Sequence, residues 1–185
     1  MLNKIAEETK NTLLTVIKGA GEVGVALQTG VKDNVISALT GVGQITTTVT
    51  GVVFDIVSGA IMAASQAGTT LTTATKNIVT GAIKGALEVG TDSIDATQKA
   101  VSSAIKGAAE VGGDVAGVAV SSVEGAIEAA EKVGTDTEKV AKTAVVTAVE
   151  AADEIGTEVG QSVRKALLSA VSLPADIVKA ALGTK

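Results

Sequence analysis

Acid–base chemistry in this chain would have to come from carboxylates and amines, because the sequence holds no His, Cys or Tyr. Asp, Glu or Lys would be the only candidates for general acid or base. The nearest approach to a paired-carboxylate site is Asp92 with Asp95, three residues apart at an expected helix start. A carboxylate there also meets the positive end of the helix dipole, and that structural use is the preferred reading. Asp136 and Glu138 offer oxygens suited to Ca²⁺, but no EF-hand-like series of ligands surrounds them. The run Gly19-Ala20-Gly21-Glu22-Val23-Gly24 is glycine-rich, yet no Lys-Ser or Lys-Thr follows it and no strand precedes it, as a phosphate loop requires. No catalytic residue, no cofactor-binding residue and no metal ligand is assigned, and a non-enzymatic protein is expected.

Composition narrows the class further. Without Cys and His, disulfides and thiolate or imidazole metal sites are excluded. The formal net charge is −5 and Arg164 is the single arginine, which argues against nucleic acid as a partner. Hydrophobic residues make up 46%, but the only aromatic is Phe54, so a core must be built from Ala, Val, Ile and Leu packed closely. Near the start, Glu7, Glu8, Lys10 and Asn11 interrupt any signal-peptide core. A cytoplasmic location is expected, with peripheral placement at a membrane or inclusion surface as its variant.

The elements that would position these groups are set by a repeat. The segment Ala82-Ile83-Lys84-Gly85-Ala86-Leu87-Glu88-Val89-Gly90-Thr91-Asp92 returns as Ala104–Asp114, as Ala126–Asp136 and, more weakly, as Ala148–Glu158, each 22 residues on. Ile17-Lys18-Gly19-Ala20 already keeps the same phase. Within each unit the apolar positions recur at steps of four, three and four, the pattern of an amphipathic helix. Those steps sum to eleven, close to three helical turns. The expected fold class is all-α: long amphipathic helices built from 22-residue (2 × 11) repeats, bent or hairpinned at Gly90, Gly112, Gly134 and Gly156.

Four regions follow. Residues 1–37 read as an N-terminal amphipathic helix. Residues 38–81 are Thr/Val/Gly-rich apolar repeats, residues 82–169 carry the regular 22-residue units, and residues 170–185 form a short C-terminal helix after a bend near Pro174. Across residues 34–75 strand is an open alternative, since Thr and Val favour it locally. In that stretch Asp55 is the only charged residue and is expected on a narrow polar face. Val49–Ala64 is apolar enough to weigh as a membrane span, but Gly51, Asp55, Ser58 and Gly59 dilute it.

The repeat glycines admit two readings. Either each caps a helix, with Thr or Asp starting the next, or the helix runs through and glycine permits close backbone approach, as in the Ala82, Ala86, Gly90 series. Thr135 and Glu138 match a capping box. The constant register favours running through. The cost of about 1 kcal/mol for Gly inside a helix favours capping. Lys84 with Glu88, and Lys106 with Glu110, are spaced for i, i+4 pairs on a wet face.

At residues 123–160 the motifs Val123-Glu124-Gly125-Ala126, Ala129-Ala130-Glu131-Lys132-Val133-Gly134 and Thr137-Glu138-Lys139-Val140-Ala141 resemble the eleven-residue repeats of synucleins. The eleven-residue pattern is also similar to that of apolipoproteins, perilipins and late-embryogenesis proteins. The resemblance implies a helix that forms on lipid or another apolar surface.

The expected function is therefore structural and self-assembling. A stripe formed by Ile83, Ala86, Val89, Ile105, Ala108, Val111, Ile127, Ala130 and Val133 would pack with other copies, giving a homo-oligomer or filament. The alternative is an amphipathic coat on a membrane, lipid or polymer inclusion, of synuclein-like or phasin-like kind. A further alternative rests on Thr69, Thr91, Thr135 and Thr157, spaced 22 or 44 apart, which would suit an ice-binding array.

Overall fold

The regular apolar phase produces helices and, among the described residues, no strand. The computed structural model describes residues 4–19, 22–41 and 49–184. The helices are α1 (Lys4–Gly19), α2 (Val23–Gly41), α3 (Val49–Gln66), α4 (Leu71–Glu88), α5 (Ser93–Glu110), α6 (Val115–Val133), α7 (Thr137–Ile155), α8 (Thr157–Ser169) and α9 (Ala175–Leu182). From α3 to α7 the starts fall at 49, 71, 93, 115 and 137, a constant step of 22. One repeat is thus one helix plus one turn. The strand alternative for 34–75 does not hold for the described residues there. The part of it at 42–48 lies outside them.

The long helices favoured by the register do not form. No described helix exceeds 19 residues, and the first 37 residues hold α1 and the start of α2 rather than one helix. The reason lies in the turns. Gly68, Gly90, Gly112 and Gly134 take φ values of 71°, 86°, 68° and 78°, a left-handed conformation that ends a helix at little cost only for glycine. Just beyond each, an N–H reaches back to the carbonyls of Ala64, Ala86, Ala108 and Ala130, again 22 residues apart. Gly156 departs from the set. Its backbone is extended (φ 168°, ψ 151°), and α8 begins immediately after it, two residues ahead of the repeat.

The next helix is then nucleated by a carboxylate. Asp92 accepts from the Ile94 and Asp95 amides, Asp114 from Gly117 and Asp136 from Lys139. Each satisfies a donor that the first helical turn leaves unpaired. The capping-box assignment is corrected accordingly: Asp136, not Thr135, is the cap. At the far end Pro174 precedes α9, and Gly183 (φ 66°) closes it.

Each hairpin sends successive helices to opposite layers. Odd-numbered helices pack side by side in one layer and even-numbered helices in the other, so α4 lies between α2 and α6, and α5 between α3 and α7. The layers enclose one continuous core of Ala, Val, Ile and Leu. Layer neighbours approach closely through small residues at one repeat position, occupied by Gly59, Gly81, Ser103, Gly125 and Thr147. A methyl on Gly59 would collide with the Ala6 carbonyl, and one on Gly81 with the Gln28 carbonyl. On Gly125 it would lie 2.5 Å from the Lys76 carbonyl oxygen. Gly90, for which capping and close contact were both open, is a cap: no described atom lies within 4 Å of such a methyl. Across the α4–α6 seam, the Thr80 hydroxyl donates to the Gly125 carbonyl at 3.0 Å.

Asp55 is also placed differently from expectation. It is 9% exposed rather than on a polar face. Its helix, α3, is covered by α1 and α5 within its layer and by α2 and α4 across it.

Candidate functional site

The expected interaction stripe lies mostly inside the molecule. Ile83, Ala86, Ile105, Ala108 and Ala130 are buried in the core, and Val89, Val111 and Ile127 are half-buried. Val133 alone is exposed, at 42%. The stripe was expected to meet other copies or an apolar surface. In the folded chain its partners are the neighbouring helices of the same chain, because each turn folds the next repeat back onto it.

Three of the carboxylates marked in the sequence are likewise used within the chain. Asp92 and Asp136 cap helices, and Glu138 pairs with Lys142. Among the described residues no cluster of three or more acidic side chains is placed to hold a metal ion. Two residues of the wet-face pairs marked in the sequence, Glu88 and Lys106, pair between helices, while Lys4 with Glu8 and Lys142 with Glu138 pair along one helix. Glu88 meets Lys32 of α2 at 3.0 Å, and Lys106 meets Glu154 of α7 at 2.6 Å. Side-by-side helices bring opposite charges within reach that a single helix could not. Hairpin alternation also splits the threonine array. Thr69 and Thr157 follow odd-numbered helices, whereas Thr91 and Thr135 follow even-numbered ones at the opposite end.

What remains open is a set of clefts. The α5–α7 groove, about 280 Å³, is polar: Lys99 and Lys106 form one wall, Glu150 and Glu154 the other. A second cleft of about 420 Å³ lies among α1, α2 and the Ile56 turn of α3. A third, larger than either at about 650 Å³, is built differently. Its floor is Ile127, Ala141, Pro174 and Ile177, and its rim carries Glu124, Glu128, Glu131 and Lys76. Lys76 reaches Glu128 across the α4–α6 seam at 3.1 Å, and Lys132 reaches it from the next turn. Burial pushes the Glu128 carboxyl up, but hydrogen bonds and charge from Lys132 and Lys76 outweigh it and hold the group below its ordinary value. Sequence reasoning did not single out this cleft, since Ile127 looks the same as Ile83 and Ile105 in the repeat.

No protein-family model matches the sequence, and no curated protein does. Among solved structures, the chain is similar to a de novo designed helical repeat protein, with a TM-score of 0.54, 20% identity, and coverage of 96% of this chain and 95% of that one. At that identity the likeness concerns the fold: a helical-repeat architecture along nearly the whole chain. Among the described residues no helix is long and apolar enough to cross a membrane.

Proposed function

We propose that the protein is a non-enzymatic structural module, a self-contained helical-repeat scaffold held together by its own apolar stripe. The observation that carries this reading is the burial of Ile83, Ala86, Ile105, Ala108 and Ala130 within one chain. Burying each isoleucine contributes about 1.5–3 kcal/mol relative to exposure to water, a gain the chain obtains within its own core without needing a lipid surface. The non-enzymatic part rests on residue types. The sequence has no His, Cys or Tyr, and Asp92, Asp114 and Asp136 are committed to helix starts.

The edge of the array at α2 favours a scaffold over an open filament. The outer face of α2 carries Thr29, Asp33 and Ser37, all exposed, beside Val25 at 58%. Ser37 and Gly41 stand 44 residues before Gly81 and Gly85, so the face that is glycine-lined inside the array is partly polar at its edge. Polar terminal faces are what repeat arrays use to stop stacking.

Circular dichroism with sizing, before and after adding phosphatidylcholine/phosphatidylserine vesicles, tests this. The expected result is a helical monomer whose spectrum vesicles do not change. Disorder that becomes helical only with vesicles would restore the lipid-coat reading, and a large helical assembly without lipid would restore self-assembly.

A further inference from the structure

The cleft beside Ile127 marks a seat that the repeat elsewhere fills with a helix. Positions 44 residues before Glu124, Ile127, Glu128 and Glu131 are Thr80, Ile83, Lys84 and Leu87 of α4. There α6 arrives: Thr80 bonds to the Gly125 carbonyl, and Ile83 is only 1% exposed. On α6 the corresponding cover is missing. Gly125 sits on Lys76, an offset of 49 residues (125 minus 76). Gly81 sits on Gln28 in the same layer, an offset of 53 (81 minus 28), so carried forward one helix these offsets place residues 173–184 opposite Glu124–Glu131. A full-length α8 in register would reach residue 177 (155 plus 22), and so the Glu124–Glu128 turn, but α8 stops at Ser169. Pro174, which lacks an N–H and cannot continue a helix, starts α9, and α9 packs on α7. Ile127 is left half-open between Pro174 and Ile177.

The residues around this seat have also changed in character. Thr80 and Leu87 of α4 become Glu124 and Glu131 on α6. The two carboxylates stand seven residues apart, about 10.5 Å along the helix, and flank Ile127. The ion pairs of the rim engage Glu128, with Lys76 and Lys132. We propose that this cleft docks a short amphipathic helix from a basic protein partner, its aliphatic face on Ile127 and Ile177, its Lys or Arg side chains on Glu124 and Glu131. The mode is a helix laid into a groove, with the charges selecting the partner. The proposal rests on the folded, monomeric scaffold proposed above.

The test uses the full chain and a fluorescent Leu/Ala/Lys peptide patterned as one amphipathic helix, with a Leu/Ala/Glu peptide of the same apolar face as control. Circular dichroism and sizing of the chain alone come first, so that loss of the scaffold is distinguished from loss of the seat. Saturable anisotropy binding of the Lys peptide is expected, weakened about tenfold or more for the Glu peptide and for the double variant Glu124→Lys/Glu131→Lys. The milder pair Glu124→Gln/Glu131→Gln should give an intermediate loss with an unchanged helical spectrum. A folded chain that fails to bind the Lys peptide overturns the proposal, as does binding indifferent to both double variants. Dimerisation of the chain that the charge reversals abolish would also overturn it, because the occupant would then be a second copy.

Discussion

α4 and α6 are nearly the same helix in two different surroundings. Both seat a glycine, Gly81 or Gly125, on the backbone of the preceding helix in their layer. Both present Ile at the same repeat position on the other side. Yet Ile83 is 1% exposed, and Ile127 lines an open cleft. The difference lies in the neighbour: α6 covers the Ile83 turn of α4, whereas α8 packs on α6 but ends before the Ile127 turn. In an array of this kind a side chain becomes core or surface according to whether the next repeat arrives, since each unit buries its apolar face only against its neighbours.

The contrast can be broken most forcefully at the isoleucines. Ile83→Ala should destabilise the fold by about 2–5 kcal/mol. Ile127→Ala, on a half-open floor, should cost about 1 kcal/mol or less. Denaturant midpoints would show it, and equal losses would mean that the two positions are equally enclosed. Next come the glycines, where α4 and α6 should behave alike because each has a predecessor. Gly81→Ala and Gly125→Ala should each cost about 1–3 kcal/mol by forcing two backbones apart. Gly41→Ala, with nothing among the described residues within 4 Å of the added methyl, should be neutral or slightly stabilising in the same thermal melts.

Helix starts should show smaller and matching effects. Asp114→Ala at α6 and Asp136→Ala at α7 should each cost about 0.5–2 kcal/mol, through loss of the bonds to Gly117 and Lys139. The smallest effect belongs to pH. Glu128, lowered in the folded state, contributes stability that is present above its unfolded pKa near 4.5 and lost as pH falls through its folded value. Acid unfolding should therefore steepen below about pH 4.5, and Glu128→Gln should flatten that part of the profile. A Glu128→Gln profile that superimposes on the parent would remove this carboxylate from the seam.

The all-α class and the 22-residue step were legible because the spacing of Ile83, Ile105 and Ile127 survives in the folded chain as successive helices. Whether the glycines capped or continued a helix was not legible. Local cost favoured one answer and constant register the other, and only packing of a whole layer decides. The glycines that permit close approach, Gly59, Gly81 and Gly125, share one repeat position with Ser103 and Thr147, so their series is interrupted, whereas the turn set at Gly90, Gly112 and Gly134 is continuous. The pairing of Glu88 with Lys32 was out of reach for a different reason: the partners are 56 residues apart, and nothing local joins them. The cleft was hidden in the same way, since it depends on where α8 stops relative to α6.

That same pair offers the most direct measurement. The native chain has no Cys, so Lys32→Cys/Glu88→Cys can be labelled at those two places alone. Within one layer of packed helices, spin labels there should lie within about 20 Å of each other, and the distance should persist when labelled protein is diluted with unlabelled. On continuous helix the same residues would stand about 84 Å apart. A long distance, or a short one that disappears on dilution, would mean that the apolar stripe is not closed within the single chain.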